Sequence, residues 1–324
     1  MSILPDCHVG KLLLFSTFIF ISACVGSSGS DRQLSNNPAA PPPANTSPIA
    51  PQANVNIPNP TLTLLDTFPV SPNDDLTLVW SDEFDGAKLD PEIWFFETGD
   101  GTSQGIPGWG NNELQYYLPD NAQLADGLLT ITARREQVGG FNFTSARINT
   151  RDRIAFRYGR IEARIRLPGG QGLWPAFWML PQDSPYGGWP ESGEIDIMEA
   201  INLGGTGGND IFGTLHYSRP NGPGAPSAFE EIKYTVATNA TENFHVYALE
   251  WDENEIRWYV DGILYAMQNS WFSTQGPFPA PFDHQFHIIF NVAVGGNFPG
   301  APTNNTVFPV TMDVDWVRVY SGDP

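Results

Sequence analysis

"YGRIEARIRL" (Tyr158 to Leu167) places Ile161, Ala163, Ile165 and Leu167 on one side of an extended chain and Glu162, Arg164 and Arg166 on the other. The repeat is two residues, not 3.6, so the stretch is a strand with one buried and one wetted face. Similar β-favouring runs recur outward from it: "LTLVW" from Leu76, "LLTITARR" from Leu128, "FHVYALEW" from Phe244, then "IRWYVDGILYAM", "FHIIFNVAV" and "VDWVRVY". Clusters of Gly, Pro, Asn and Asp separate them. Asp261-Gly262 supplies the two positive φ values that a type I′ hairpin turn needs. No window carries an amphipathic helix. The pattern predicts an all-β domain, an antiparallel sandwich of two stacked sheets with about twelve to fifteen strands, without internal repeat or second domain.

The chain has 324 residues, within reach of one large all-β unit. Its 16 Lys and Arg against 36 Asp and Glu give a net charge of -20, which disfavours nucleic acid and anionic membrane surfaces and is compatible with a neutral polymer. Both cysteines, Cys7 and Cys24, stand at the start. "KLLLFSTFIFISAC" is a cation followed by an apolar run of signal-peptide length, so residues 1–23 are expected to direct export. Ile21 to Cys24 resembles a lipobox, in which Cys24 becomes a lipid anchor after cleavage; the alternative is an ordinary small-residue cleavage site. Val25 suits the outer membrane by that resemblance. The expected location is an outer-membrane or cell-surface lipoprotein, otherwise a secreted protein. Without a disulfide, the mature chain relies on packing, hydrogen bonds and a metal if one binds. Residues 24–75, rich in Pro, Ala, Asn and Ser, read as a disordered linker, leaving 76–324 as the folded domain.

"WPESGEIDIMEA" (Trp189 to Ala200) collects Glu191, Glu194, Asp196 and Glu199 around an apolar set. On a regular strand Glu194 and Asp196 share a face and Glu199 takes the other. One extra residue, a β-bulge at or near Met198, returns Glu199 to the face of the other two. Carboxyls crowded in this way cannot all ionise at their ordinary pKa values. One charged and one protonated carboxyl, about 5–5.5 Å apart, is what retaining glycoside hydrolysis uses. A solvated acidic strand is the alternative. The neighbourhood weighs against it: "WGNNELQYY" holds Trp109, Asn111 and Glu113, and "GQGLWPAFWML" holds Trp174 and Trp178, aromatic faces and amides of the kind that bind pyranose rings and hydroxyls.

"GEIDIMEA" resembles the catalytic signature of family 16 glycoside hydrolases, in the form with an extra residue, Met198, that is similar to the laminarinases. The likeness extends through "VWSDEFDG", "WGNNELQYY", "SARINT", "YGRIEARIRLP", "GLWPAFWML", "TLHY", "FHVYALEWDENEIRWYVDG", "NVAVGGNFPG" and "MDVDWVRVY", nearly all of 79–320. The resemblance implies a concanavalin A-like jelly roll with a concave cleft, and a monomeric endo-β-1,3-glucanase acting on β-glucan. It implies Glu194 as nucleophile, Glu199 as acid/base and Asp196 hydrogen-bonded to the nucleophile. By the same likeness Trp174 and Trp178 stack on sugars, Asn111 and Arg147 bind hydroxyls, and Trp109 joins them at the substrate. His216 lies beside the catalytic strand or is a structural histidine. Arg147 has an alternative as a partner of Glu113, and Asn291 either reaches the cleft or caps a turn. Many members hold a structural calcium; the matching positions are Glu83, the Gly127 carbonyl and Asp315, which are otherwise ordinary surface acids and a turn. No cofactor is expected for catalysis. Competing readings are a glucan-binding lectin-like protein, which would lack the glutamates, and a relative acting on mixed-linkage glucan or a galactan.

Overall fold

The computed structural model describes residues 60–71, 75–222 and 227–323. The expected signal segment, Cys24 and the expected linker up to residue 59 lie outside them. Two antiparallel sheets dominate, one of eight strands and one of seven. In the seven-stranded sheet we label β1 (Phe95–Glu97), β2 (Arg147–Asn149), β3 (Leu173–Pro181), β4 (Glu194–Ala200), β5 (Asp210–Tyr217), β6 (Ala228–Thr235) and β7 (Phe286–Val294). Their spatial order is β6-β5-β4-β3-β7-β2-β1. The fifteen strands of the two sheets fall at the upper end of the expectation. Two further two-stranded pairs and three short 3-10 turns complete the described elements, and no helix among them is long and apolar enough to cross a membrane.

Gly159–Arg166 is central in the eight-stranded sheet, between His245–Trp251 and Val310–Ser321. Its burial alternates along its whole length, with Ile161, Ala163 and Ile165 in the core. Across the core, β3, β4 and β7 contribute Phe177, Met179, Ile195, Ile288 and Phe290. Phe177 and Phe290 stack at 4.8 Å, joining β3 to β7. Alternate residues of the seven-stranded sheet therefore face away from the core, and that outer face is open to ligands. The Asp261-Gly262 turn adopts the two positive φ values its sequence predicts, 50° and 76°.

One boundary differs from the sequence reading. Residues 60–70 belong to the folded unit: Thr63–Leu64 pairs in parallel with Ile154–Ala155, Phe68 N–H donates to Ser321 Oγ at 2.9 Å, and Val70 is buried. The flanking proline-rich composition hid this short apolar segment, whose order comes from contacts with distant strands. Residues 228 and 229, which follow a glycine- and proline-rich stretch, begin edge strand β6.

The bulge lies where the spacing required. Phe177 pairs with Met198 and Trp178 with Asp196, so Ile197 is the extra residue against β3. Against β5 the register shifts over the same interval. Ile197 and Met198 both enter the core. The Asp196 carbonyl accepts a hydrogen bond from Trp258 Nε1 at 2.8 Å, donated from the opposite sheet. Gly213 on β5 leaves room for that indole, since a Cβ there would stand 2.6 Å from Trp258 Cδ1. The Trp258→Phe substitution replaces the indole by a smaller aromatic ring and removes the N–H donor to the buried carbonyl. It is expected to lower the unfolding free energy by about 1–3 kcal/mol, read as a lower urea midpoint; an unchanged midpoint would mean that the carbonyl finds another donor.

Candidate active site

The register sets out the open face in rows. Glu194 on β4 stands opposite His216 on β5, which stands opposite Phe229 on β6. Trp178, Asp196, Thr214 and Glu231 form the next row. The third runs from Glu97 through Arg147, Asn291, Ala176 and Glu199 to Phe212. The bulge thus brings Glu194, Asp196 and Glu199, which lie within six residues of one strand, to one face. Glu191 does not join them; it accepts from Ser218 Oγ at 3.3 Å.

Each outer glutamate is held by an indole. Trp189 Nε1 donates to Glu194 Oε2 at 2.6 Å, and Trp174 Nε1 donates to Glu199 Oε1 at 2.9 Å. Thr214 Oγ1 reaches Glu199 Oε2 at 3.5 Å. Asp196 lies between them, buried, with Oδ2 lacking any hydrogen-bond partner among the described residues. The bond from Asp196 to Glu194 implied by the family likeness is not made here. Asp196 Oδ2 faces His216 Nε2 at 3.6 Å, and Glu194 Oε1 is 3.9 Å from the same nitrogen.

Burial dominates the electrostatics. Desolvation pushes both Glu194 and Glu199 up to about 7. Glu194 is drawn down by the Trp189 hydrogen bond and by the Arg147 charge; Glu199 is pushed up by the Glu194 charge and drawn down by the Trp174 hydrogen bond and by His216. The two carboxyls therefore titrate as an interacting pair, in which a charge on one helps keep the proton on the other. Asp196 is raised well above its ordinary value, by burial first and by the charges of Glu199 and Glu194 next. Burial lowers His216, leaving the imidazole neutral at pH 7. Its contacts with the carboxylates are consequently dipolar, not ion pairs.

Arg147 is buried, ion-paired with Glu97, with its guanidinium 4.6 Å from the Trp109 ring and 4.7 Å from the Trp178 ring. Its salt-bridge partner is Glu97, not Glu113; the Glu113 charge acts on it from farther away. Glu113 instead accepts from Gln115 at 2.6 Å, Tyr117 at 3.1 Å and Asn111 at 3.4 Å. Asn291 continues this network, donating to Tyr117 at 3.2 Å and accepting from Trp178 Nε1 at 2.7 Å. It faces the site and caps no turn. Trp109 is buried beside this network, with its ring engaged by Arg147 and Tyr117. Trp174 and Trp178 are half-buried.

Trp189, Glu97 and Tyr117 were not singled out from the sequence. Trp189 had a signal in its place five residues before Glu194. Glu97 and Tyr117 had none, because only pairing across the sheet and loop packing bring them to Arg147.

Glu194, Asp196 and His216 place ligand atoms within 4.8 Å of one another, the one group of three such residues among those described. A cation there would occupy the same oxygens that the carboxylate chemistry needs. On the other sheet, Glu83 gives both oxygens to Arg318, at 3.0 and 2.8 Å, and Asp315 binds Arg164 at 2.5 Å. Gly127 precedes the neighbouring strand with φ 72°. Strand pairing brings the three segments together across Val310–Ser321, but guanidinium groups hold both carboxylates.

With this geometry in view, the relatives are informative. The model described as "Glycosyl hydrolases family 16" matches residues 111–318. A second, for "Beta-glucan synthesis-associated protein SKN1/KRE6/Sbg1", matches 10–188 and stops before the carboxylate strand. The chain is 43% identical over 262 residues to "Beta-glucanase" of Rhodothermus marinus, covering 75% of this chain and 84% of that one. It is 41% identical to "Glucan endo-1,3-beta-glucosidase A1" of Niallia circulans over 76% of this chain, and the match spans 38% of that longer relative. The catalytic domain of an endo-1,3-beta-glucanase (laminarinase) from Thermotoga petrophila RKU-1 superposes with a TM-score of 0.69 at 42% identity, covering 78% of this chain and all of that one. A two-sheet antiparallel sandwich, a bulged carboxylate strand and identities above 40% across three quarters of the sequence agree: the chain belongs to family 16 of the glycosyl hydrolases.

Proposed function

We propose that the protein is a retaining endo-β-1,3-glucanase. The observation that carries this reading is the pair of glutamates that the bulge turns to one open face, close enough that a charge on Glu194 opposes ionisation of Glu199. In the first displacement the Glu194 carboxylate attacks the anomeric carbon while Glu199 gives its proton to the departing glycosidic oxygen, leaving a glycosyl ester on Glu194. In the second, Glu199, now ionised, takes a proton from water as the water attacks the same carbon and releases Glu194. Burial and the two glutamate charges push Asp196 up, which opposes a third negative charge in the site. The Trp189 and Trp174 indoles fix the two carboxylates before substrate arrives, and Arg147 offers hydroxyl contacts from its aromatic slot.

We extend the proposal to location and metal. Export and lipid attachment at Cys24 are supported by the apolar run and by Ile21 to Cys24. Calcium at Glu83, the Gly127 carbonyl and Asp315 is supported by hard oxygen donors on three converging segments, and its binding requires the two arginine pairs to open. The monomeric state is likewise an inference from the family likeness.

Three outcomes test these proposals. Glu194→Gln should lower reducing-end release from laminarin by roughly a thousandfold or more while laminarin binding persists, and NMR of the wild-type reaction should show the β-anomer first. Turnover unchanged in the variant, or an α-anomer, refutes the two-step mechanism.

The second concerns pH. Glu199 has a folded pKa of about 7, above its ordinary value near 4.5, so the folded state holds the extra proton between those limits. Its contribution to stability is full below about pH 4.5 and is lost as pH rises through 7. Glu199→Gln should therefore melt higher than wild type at pH 8, by the equivalent of roughly 1–3 kcal/mol, with the gap closing near pH 4. Equal melting temperatures at pH 8 would contradict the burial cost.

Third, added calcium should raise the melting temperature and a chelator should reverse the change. Indifference to both leaves the arginine pairs as the fastening at that site.

A further inference from the structure

We propose that Phe229, on edge strand β6, is an additional sugar-binding position, and that with His216 and Trp189 it forms an aromatic track leading the glucan from Glu194 to the rim of the sheet. The inference deepens the glucanase reading and rests on it. Phe229 lies directly across from His216, and His216 directly across from Glu194, so the three share the open face. The side chains agree with the register: the Phe229 ring is 5.7 Å from the His216 ring at an interplanar angle of 31°, and the Trp189 ring is 5.9 Å from the same imidazole. Trp189 itself donates to the nucleophile. The row begins at the reacting carboxylate and ends two strand spacings away, about 10 Å.

Phe229 is 55% exposed. So much open ring surface contributes little to packing. The other aromatic faces near the carboxylates are engaged: Trp109 and Trp178 by Arg147, Trp174 edge-on by Phe298, and Trp189 in part by Arg219. A flat apolar ring suits the C–H face of a pyranose. Glu231, two residues along and on the same face, offers an acceptor for a sugar hydroxyl. Carboxylates on the track and a net charge of -20 favour a neutral glucan over a sulfated or uronic polymer.

The test compares kcat/KM for β-1,3-gluco-oligosaccharides of increasing length and for laminarin. In wild type kcat/KM should rise with length. In Phe229→Ala the ratio of laminarin to the shortest cleaved oligosaccharide should fall about 3- to 10-fold, mainly through KM. Phe229→Trp should restore the ratio, and Phe229→Leu, apolar but without a flat face, should not. A ratio unchanged in Phe229→Ala, or fully restored by leucine, overturns the proposal. Calorimetry of laminarin binding to the Glu194→Gln protein, with and without Phe229→Ala, reads the same contact without turnover. Absence of hydrolysis of every β-1,3-glucan by wild type would count against the glucanase reading alone, since the binding measurement still decides the role of Phe229.

Discussion

The site depends on one irregularity in one strand. A regular β4 would direct Glu199 into the core, where a carboxyl without partners is costly, or would force Ile197 or Met198 into water. The extra residue removes that conflict by letting two consecutive apolar side chains enter the core while three acids face outward. Its backbone consequence is met from across the sandwich, where Trp258 supplies the donor for the Asp196 carbonyl and Gly213 leaves the space. The geometry of the open face is thus maintained partly from the opposite sheet.

Burial then does the chemical work. The acids lie on a sheet face walled by Trp174, Trp178 and Trp189, and their loss of water raises all three pKa values before any charge is counted. Charge and hydrogen bonds then act on each: Arg147 and the Trp189 indole favour the anion on Glu194, the Trp174 indole favours it on Glu199, and a charge on Glu194 opposes ionisation of Glu199. The same desolvation that raises the glutamates toward neutral pH costs stability as pH rises, a common tension between a fold and its site.

A second layer supports the first. Arg147 is held between two indoles and paired with Glu97, and the chain of Trp178, Asn291, Tyr117 and Glu113 fastens the residues beside it. Trp109 belongs to this layer. An aromatic residue near a sugar site can bind the sugar or brace the residue that does, and sequence position does not distinguish the two.

The sequence by itself determined the sheet architecture, because alternation in "YGRIEARIRL" and its counterparts fixes which side chains are buried, and the Asp261-Gly262 turn has a local conformational cause. It also determined the bulge, since one strand must reconcile three outward acids with an apolar interior. It did not determine the start of the domain, the partner of Arg147, the roles of Trp189 and Trp109, or the engagement of Glu83 and Asp315 by arginines. Those were decided by tertiary structure, for a physical reason: hydrogen bonds, ion pairs and ring contacts at short range join residues far apart in the chain. Local periodicity records which face a residue occupies, and only the folded register shows what it meets there.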